Sequence, residues 1–180
     1  MSGRTDEFDL GTLGLSSGES RRLELEVALD PFVLGGERYV PAPAQVPVRL
    51  DLTRLGDGYT MRLRFAAGLE GPCMRCLEEA GARGRVDALE VHQWTGEDVE
   101  QRSPYVLGDA LDLRAWSRDA LALALPDKIV CRADCLGLCA NCGENLNAHP
   151  GHEHEAAPDP RWAKLAEVRF DEARGGGGRR

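Results

Sequence analysis

Six cysteines and a group of histidines carry the chemistry that this sequence offers. Cys73 and Cys76 form one C-x2-C pair, and a second group follows far downstream, made up of Cys131, Cys135, Cys139, Cys142, His149, His152 and His154. Because a C-x2-C turn presents two thiolates to one ion, two such clusters in a short chain are typical of tetrahedral zinc sites. Gly143 supports this interpretation, since glycine tolerates the positive φ angle that a tight turn around a metal often needs.

The number of candidate ligands matches two closed zinc sites of four ligands each. The eight candidates are Cys73, Cys76, Cys131, Cys135, Cys139, Cys142, His152 and His154. We favour one site formed by the first four cysteines and a second, local site formed by the other four residues. In an alternative zinc-ribbon arrangement, the first C-x2-C pair joins Cys139 and Cys142, and spacing alone leaves this open. His149 can replace either of the other two histidines. The sequence therefore predicts one or two zinc ions.

Abundant thiolate ligands favour structural over catalytic metal sites. A catalytic zinc keeps three protein ligands and an open position for water, with an acid–base group nearby. Glu153 lies between two histidines, but this is not the H-E-x-x-H spacing that places two histidines on one helical face. No phosphate-binding loop or dinucleotide fingerprint is present, so we expect no enzymatic activity. A thiol redox or zinc-responsive sensor remains an alternative, because C-x2-C pairs also act as redox thiols.

The charge balance argues against a freestanding nucleic-acid clamp. The 180 residues include 22 Lys and Arg against 30 Asp and Glu, a formal net charge of −8, whereas phosphate binding usually needs the opposite balance. Arg49, Arg62 and Arg64 nevertheless occupy the polar phase of predicted strands and should share one exposed face. That face is a candidate surface for RNA or an acidic partner, so direct RNA binding stays open as an alternative function.

The sequence carries no sign of export or of membrane insertion. Its first residues are acidic and lack the apolar core of a signal peptide. The longest strongly apolar run, Ala120–Leu125, is far shorter than the roughly 20 residues of a membrane helix. We therefore expect a cytoplasmic protein with no membrane partner, in which cysteines serve as metal ligands more often than as disulfides.

Hydrophobic periodicity predicts an antiparallel β unit in the first half of the chain. Apolar residues alternate with polar ones over Leu23–Leu29, after which Pro31 and later prolines indicate a long irregular connection. Val46–Leu52 and Tyr59–Phe65 alternate in the same way around a turn that contains Asp57-Gly58, which is a strong hairpin signal. A further strand is predicted over Arg85–Trp94.

A helix and the cysteine-rich segment follow, which gives an α+β fold. Asp109 or Asp112 should cap a helix that runs to about Leu125 and presents Leu113, Trp116, Ala120 and Leu123 on one face. The zinc-binding segment spans 131–154, and Asp159-Pro160 should open a short C-terminal helix. The expected organisation is a flexible lead-in at 1–20, one α+β domain at 21–170 and a flexible basic tail at 171–180.

Four stretches of the sequence resemble the YceD family of bacterial proteins. They are Cys73-Met-Arg-Cys76-Leu77-Glu78, the helix from Asp112 to Pro126, and the string from Cys131 to Cys142 that continues Gly143-Glu-Asn145-Leu-Asn147, together with the closing Asp159-Pro160-Arg161-Trp162. The resemblance covers about residues 20–170. It implies a ribosome-biogenesis factor that supports accumulation of large-subunit (23S) ribosomal RNA, with a pre-ribosomal particle, a ribosomal protein or 23S rRNA as partner and no small-molecule substrate. Family members often carry Cys-x-Cys where this chain has His152-Glu-His154, a change that preserves zinc-binding chemistry.

Overall fold

Alternating apolar residues build two antiparallel sheets in the computed structural model, which describes residues 7–94 and 102–154 together with Arg161 and Lys164. The strands are β1 (Glu7–Asp9), β2 (Ser20–Ala28), β3 (Phe32–Leu34), β4 (Glu37–Ala42), β5 (Gln45–Arg54), β6 (Gly58–Pro72), β7 (Glu79–Gln93), β8 (Val106–Leu107) and β9 (Ala110–Asp112). Helix α1 (Leu113–Ala124) is the one α-helix in the described ranges, and a short 3-10 turn covers Gly11–Leu13.

Strand β6 is the central strand of the larger, six-stranded sheet. It pairs with β7 along its whole length, from Gly58 opposite Gln93 to Pro72 opposite Glu79. Strands β5 and β4 pair with successive parts of β6, and they are flanked in turn by β2 and β3. The predicted strand β2 and the β5–β6 hairpin are confirmed, whereas β7 begins at Glu79 rather than at Arg85. Residues 73–78 therefore form the turn of a long hairpin, which places the first C-x2-C pair at its tip.

Helix α1 covers the inner face of the sheet. The Asp112 carboxylate accepts a hydrogen bond from the N–H of Ala115 at 2.8 Å and so caps the helix. Trp116 and Leu121 are buried, but Leu123, predicted on the same face, is 89% exposed. With Leu113 as position i, the residues at i, i+3, i+4, i+7 and i+8 form the buried stripe, and Leu123 at i+10 points away from it.

The predicted combination of antiparallel sheet and following helix is confirmed, while the C-terminal helix expected from Asp159 lies outside the described residues apart from Arg161 and Lys164. Within the part of the chain that the structure describes, no helix has the length and apolarity needed to cross a bilayer.

Two segments predicted to lack regular structure contain strands. The connection after Pro31 forms β3 and β4, because Phe32 and Tyr39 are buried in the core. The Tyr39 hydroxyl donates a hydrogen bond to the carbonyl of Pro72 at 2.8 Å, and its ring lies so close to Gly71 that an added Cβ would approach within 2.5 Å. In the lead-in expected at 1–20, β1 pairs with β9 and the following Leu10 is buried. Strands β1 and β3 have three residues each, too few for alternation to reveal them, and Pro41 within β4 argues against a strand there.

His92 is a buried histidine near the end of β7. It is 6% exposed, its ring meets Trp94 edge-on with centroids 5.7 Å apart, and within the described residues its ring nitrogens have no hydrogen-bond partner. Burial, followed by the positive charge of Arg102, lowers the pKa of His92 below its usual value, whereas Asp109 acts in the opposite direction. The folded protein therefore holds this ring in its neutral form.

We expect His92 to make the fold less stable in acid. The unfolded chain takes up a proton at His92 near pH 6.5, so below that pH the free energy of unfolding falls by up to about 1.4 kcal/mol per pH unit until the lowered pKa of the folded state is reached. His92→Leu removes this contribution. In urea titrations, wild type should lose stability relative to the variant between pH 7.5 and pH 5.5. If the difference in the free energy of unfolding between wild type and His92→Leu does not change with pH, the ring protonates equally well in the folded and unfolded states.

Candidate metal centre

The hairpin tip brings the first cysteine pair to the downstream segment. The sulfur atoms of Cys73, Cys76, Cys131 and Cys135 all lie within 4.8 Å of one another. Cys73 Sγ is 3.8 Å from Cys135 Sγ, and Cys76 Sγ is 3.6 Å from Cys131 Sγ. Four thiolates at the usual Zn–S distance of about 2.3 Å sit about 3.8 Å apart in a tetrahedron, so this donor set fits one zinc ion. All six cysteines lie in the described residues and are free thiols.

A second group of four donors forms at the surface. Its members are Cys139, Cys142, His152 and His154, whose ligand atoms also lie within 4.8 Å of one another. Cys142 Sγ lies 3.1 Å from His152 Nε2 and 3.2 Å from His154 Nε2. Two thiolates and two imidazoles are a common zinc donor set.

The structure groups the eight candidates as the favoured partition has them, and not in the zinc-ribbon arrangement. His149 does not join either group but lies 2.8 Å from the Glu144 carboxylate. The two groups differ in exposure, since Cys73 and Cys135 are buried whereas Cys142 is exposed. That these groups bind a metal ion, and that the metal is zinc, stays a prediction.

Both C-x2-C turns have the same backbone structure. In the first turn, the N–H of Cys73 donates to the carbonyl of Glu78 at 2.6 Å, and the N–H of Leu77 donates to the carbonyl of Cys73 at 3.0 Å. The turn at Cys139 repeats both hydrogen bonds, with Gly143 in the position of Leu77. This position has a positive φ angle in both turns, 63° at Leu77 and 77° at Gly143. A leucine in that conformation costs about 1–2 kcal/mol, and glycine costs far less.

Two polar residues support the buried cysteine cluster. Asn147 Nδ2 donates to Cys135 Sγ at 3.4 Å, while its Oδ1 accepts from the N–H of Leu136 at 2.8 Å. Arg75 donates from its backbone N–H to Cys73 Sγ at 3.4 Å and from its guanidinium to the carbonyl of Cys135 at 2.6 Å. Ligand-spacing rules do not identify either residue. The one signal in the sequence is the Asn-Leu-Asn string, because asparagine side chains often bond to nearby backbone in loops.

These contacts divide the buried cluster into more and less acidic thiols. Burial alone would raise the pKa of Cys73, but hydrogen bonds from surrounding backbone N–H groups outweigh it and bring the pKa to about 6. The hydrogen bond from Asn147 is the main cause of the lowered pKa of Cys135. Burial and the neighbouring thiols raise the pKa of Cys131 to about 12. In the surface group, backbone N–H groups lower the pKa of Cys139 to about 7. Each group therefore contains at least one thiol that readily ionises to the thiolate form that binds metal.

The three arginines predicted to form a basic face do lie together on the outer face of the sheet. Arg49 is opposite Arg64 across β5 and β6, and Arg62 lies further along β6. Each forms an ion pair: Arg49 with Glu24 at 2.8 Å, Arg62 with Asp87 at 2.6 Å, and Arg64 with Asp51. The Arg62 hydrogen bond also holds the pKa of Asp87 below its usual range. The carboxylates offset the positive charge of this face, and its binding of RNA or an acidic partner stays a prediction.

The candidate ligands lie in a part of the chain that matches a known protein family. The family model "Large ribosomal RNA subunit accumulation protein YceD" matches residues 61–169, a range that contains all eight candidate ligands. An uncharacterized protein of Mycobacterium tuberculosis is 36% identical over 166 residues, which cover 89% of this chain and 79% of the relative. An uncharacterized protein of Mycobacterium leprae is 29% identical over 168 residues, which cover 89% and 76%. No solved structure matches the chain.

Proposed function

Because this chain belongs to the YceD family, we propose that it is a non-enzymatic, zinc-stabilised ribosome-biogenesis factor that supports accumulation of 23S ribosomal RNA in the bacterial cytoplasm. The family's description as a large ribosomal RNA subunit accumulation protein is the observation that carries the proposal. Its partner would be a pre-ribosomal particle, met through a ribosomal protein or through the rRNA itself.

Zinc is the metal whose chemistry suits both donor sets. Each set has four thiolate or imidazole ligands, which matches the preference of zinc for tetrahedral coordination. One ion would be held by Cys73, Cys76, Cys131 and Cys135, and the second by Cys139, Cys142, His152 and His154. A zinc ion with four protein ligands has no open position for a reacting water, so it would supply cross-linking rather than catalysis.

The buried donor set supports the role of a scaffold. Its first two cysteines belong to the β6–β7 hairpin tip, and the other two belong to the segment after α1. Backbone hydrogen bonds join the same two parts, from the N–H of Met74 to Ile129 at 2.8 Å and from the N–H of Leu138 to Arg75 at 3.1 Å. A metal at this junction would hold the cysteine-rich segment in a fixed position on the sheet, as an adaptor surface requires.

Depletion of the protein in its bacterial host tests the proposal. We expect the ratio of 23S to 16S rRNA and the 50S peak in a sucrose gradient to fall, and we expect wild-type protein supplied in trans to restore both. Cys73→Ser should restore neither, because it removes a ligand at the buried junction. A normal rRNA ratio and a normal 50S peak after depletion would contradict the proposed function.

A further inference from the structure

A groove of about 1000 Å³ lies beside the buried cysteine cluster. It is lined by β4, by the paired ends of β6 and β7, by the hairpin tip and by Cys131. Val40, Pro72 and Leu77 give it apolar surface, and two of these side chains are well exposed: Val40 is 45% exposed and Leu77 is 56% exposed. A groove that exposes large apolar side chains between polar ones is typical of an interaction site.

Leu77 has a backbone conformation that is unfavourable for leucine. It has the positive φ angle that Gly143 has in the otherwise equivalent turn, and its side chain extends into solvent rather than into the core. A glycine would fit this turn without strain. A strained apolar residue that gains little burial from the described part of its chain points to a contact with a binding partner.

The acidic residues that line the groove favour a positively charged binding partner. Glu70 and Glu79 lie on its lining, and among the described lining residues none carries a positive charge. The chain as a whole has a net charge of −8. Glu70 lies opposite Val40 on the neighbouring strand, and Glu79 lies opposite Pro72. Lysine or arginine side chains would therefore find a carboxylate beside two of the apolar residues, whereas phosphate groups would be repelled.

We propose that this groove binds an extended, basic polypeptide segment of a partner protein, with an apolar side chain of that segment packed on Leu77 and Val40. The inference rests on the proposed function in one respect, since it identifies the partner in the pre-ribosomal particle as a basic protein rather than as RNA. Glu70 and Glu79 pair with the basic residues of the segment, which fixes its position along the groove.

The test uses the full-length, zinc-loaded protein and a fluorescently labelled seven-residue peptide of alternating lysine and leucine. Binding is measured by fluorescence anisotropy. We expect Leu77→Gly to weaken binding about tenfold through lost apolar contact, with unchanged zinc content and an unchanged or higher thermal midpoint because glycine suits the turn. The double variant Glu70→Gln and Glu79→Gln should weaken binding about fivefold to tenfold, mainly at low salt. Leu107→Ala, at an 87% exposed position in the smaller sheet, is the control and should bind as wild type does.

Three results would overturn the inference: no binding of the lysine–leucine peptide, binding that these variants leave unchanged, or equal binding of a peptide of alternating glutamate and leucine. An oligouridine RNA that binds and loses affinity in Leu77→Gly would also overturn it, in favour of RNA in the groove. These outcomes are separate from the fate of the proposed function. If depletion lowers 23S rRNA but the peptide does not bind, the proposed function is supported and the groove inference is wrong. If the peptide binds but depletion does not change the rRNA, the groove inference is supported and the proposed function is wrong.

Discussion

Cys73→Ser is expected to release one of two zinc ions and to lower the free energy of unfolding by more than about 3 kcal/mol. Cys139→Ser is expected to release the other ion with a much smaller loss of stability. The contrast follows from location, since Cys73 is fully buried where the hairpin tip meets the segment after α1, whereas the group around Cys139 lies at the surface. Binding free energy at a buried junction is also folding free energy, because the site does not exist in the unfolded chain.

The two serine variants are matched controls for each other. Each exchanges one sulfur for one oxygen in a turn with the same backbone hydrogen bonds. Metal content by mass spectrometry and urea unfolding followed by tryptophan fluorescence give the two readouts. If either single variant lost both ions, the eight ligands would act as one coupled site. If Cys73→Ser kept two ions at wild-type stability, the buried cluster would not be a metal site at all.

The sequence predicts those elements of the fold that depend on a local pattern of residues. Alternation over Val46–Leu52 and Tyr59–Phe65 is long enough to predict β5 and β6. Pro126 predicts the end of α1, while Asp109 and Asp112 are both candidates for its start, and the structure shows that Asp112 is the cap. The number of donors predicts two tetrahedral sites, but spacing alone leaves the zinc-ribbon arrangement open, and only the structure brings the first four cysteines together.

Features that depend on the register between distant strands are not visible in the sequence. Asp51 and Asp87 lie on strands that flank β6, and only the pairing of those strands brings them to Arg64 and Arg62. Strand β3 has three residues, too few for periodicity, and its first residue, Phe32, is buried in the core. Tertiary packing supplies the information in each case.

Asn147→Ala is expected to weaken zinc binding at the buried cluster by about tenfold to a hundredfold without removing any ligand. The Asn147 amide donates to Cys135 Sγ and is the main cause of the lowered pKa of that thiol. Without this hydrogen bond the pKa of Cys135 rises, so protons compete better with the metal and the loss of affinity should grow as the pH falls. Competition with a chromophoric chelator at pH 8 and pH 6.5 measures both effects.

Two further variants separate the hydrogen bond to sulfur from the shape of the loop. Asn147→Asp keeps an oxygen that accepts from the N–H of Leu136 but cannot donate to Cys135, and it adds negative charge beside a thiolate. It should therefore weaken zinc binding at least as much as Asn147→Ala does. Asn141→Ala alters an exposed asparagine in the surface turn and should leave the buried cluster unchanged. Wild-type affinity in Asn147→Asp would mean that the loop alone positions Cys135, and that the amide contributes nothing to the acidity of its thiol.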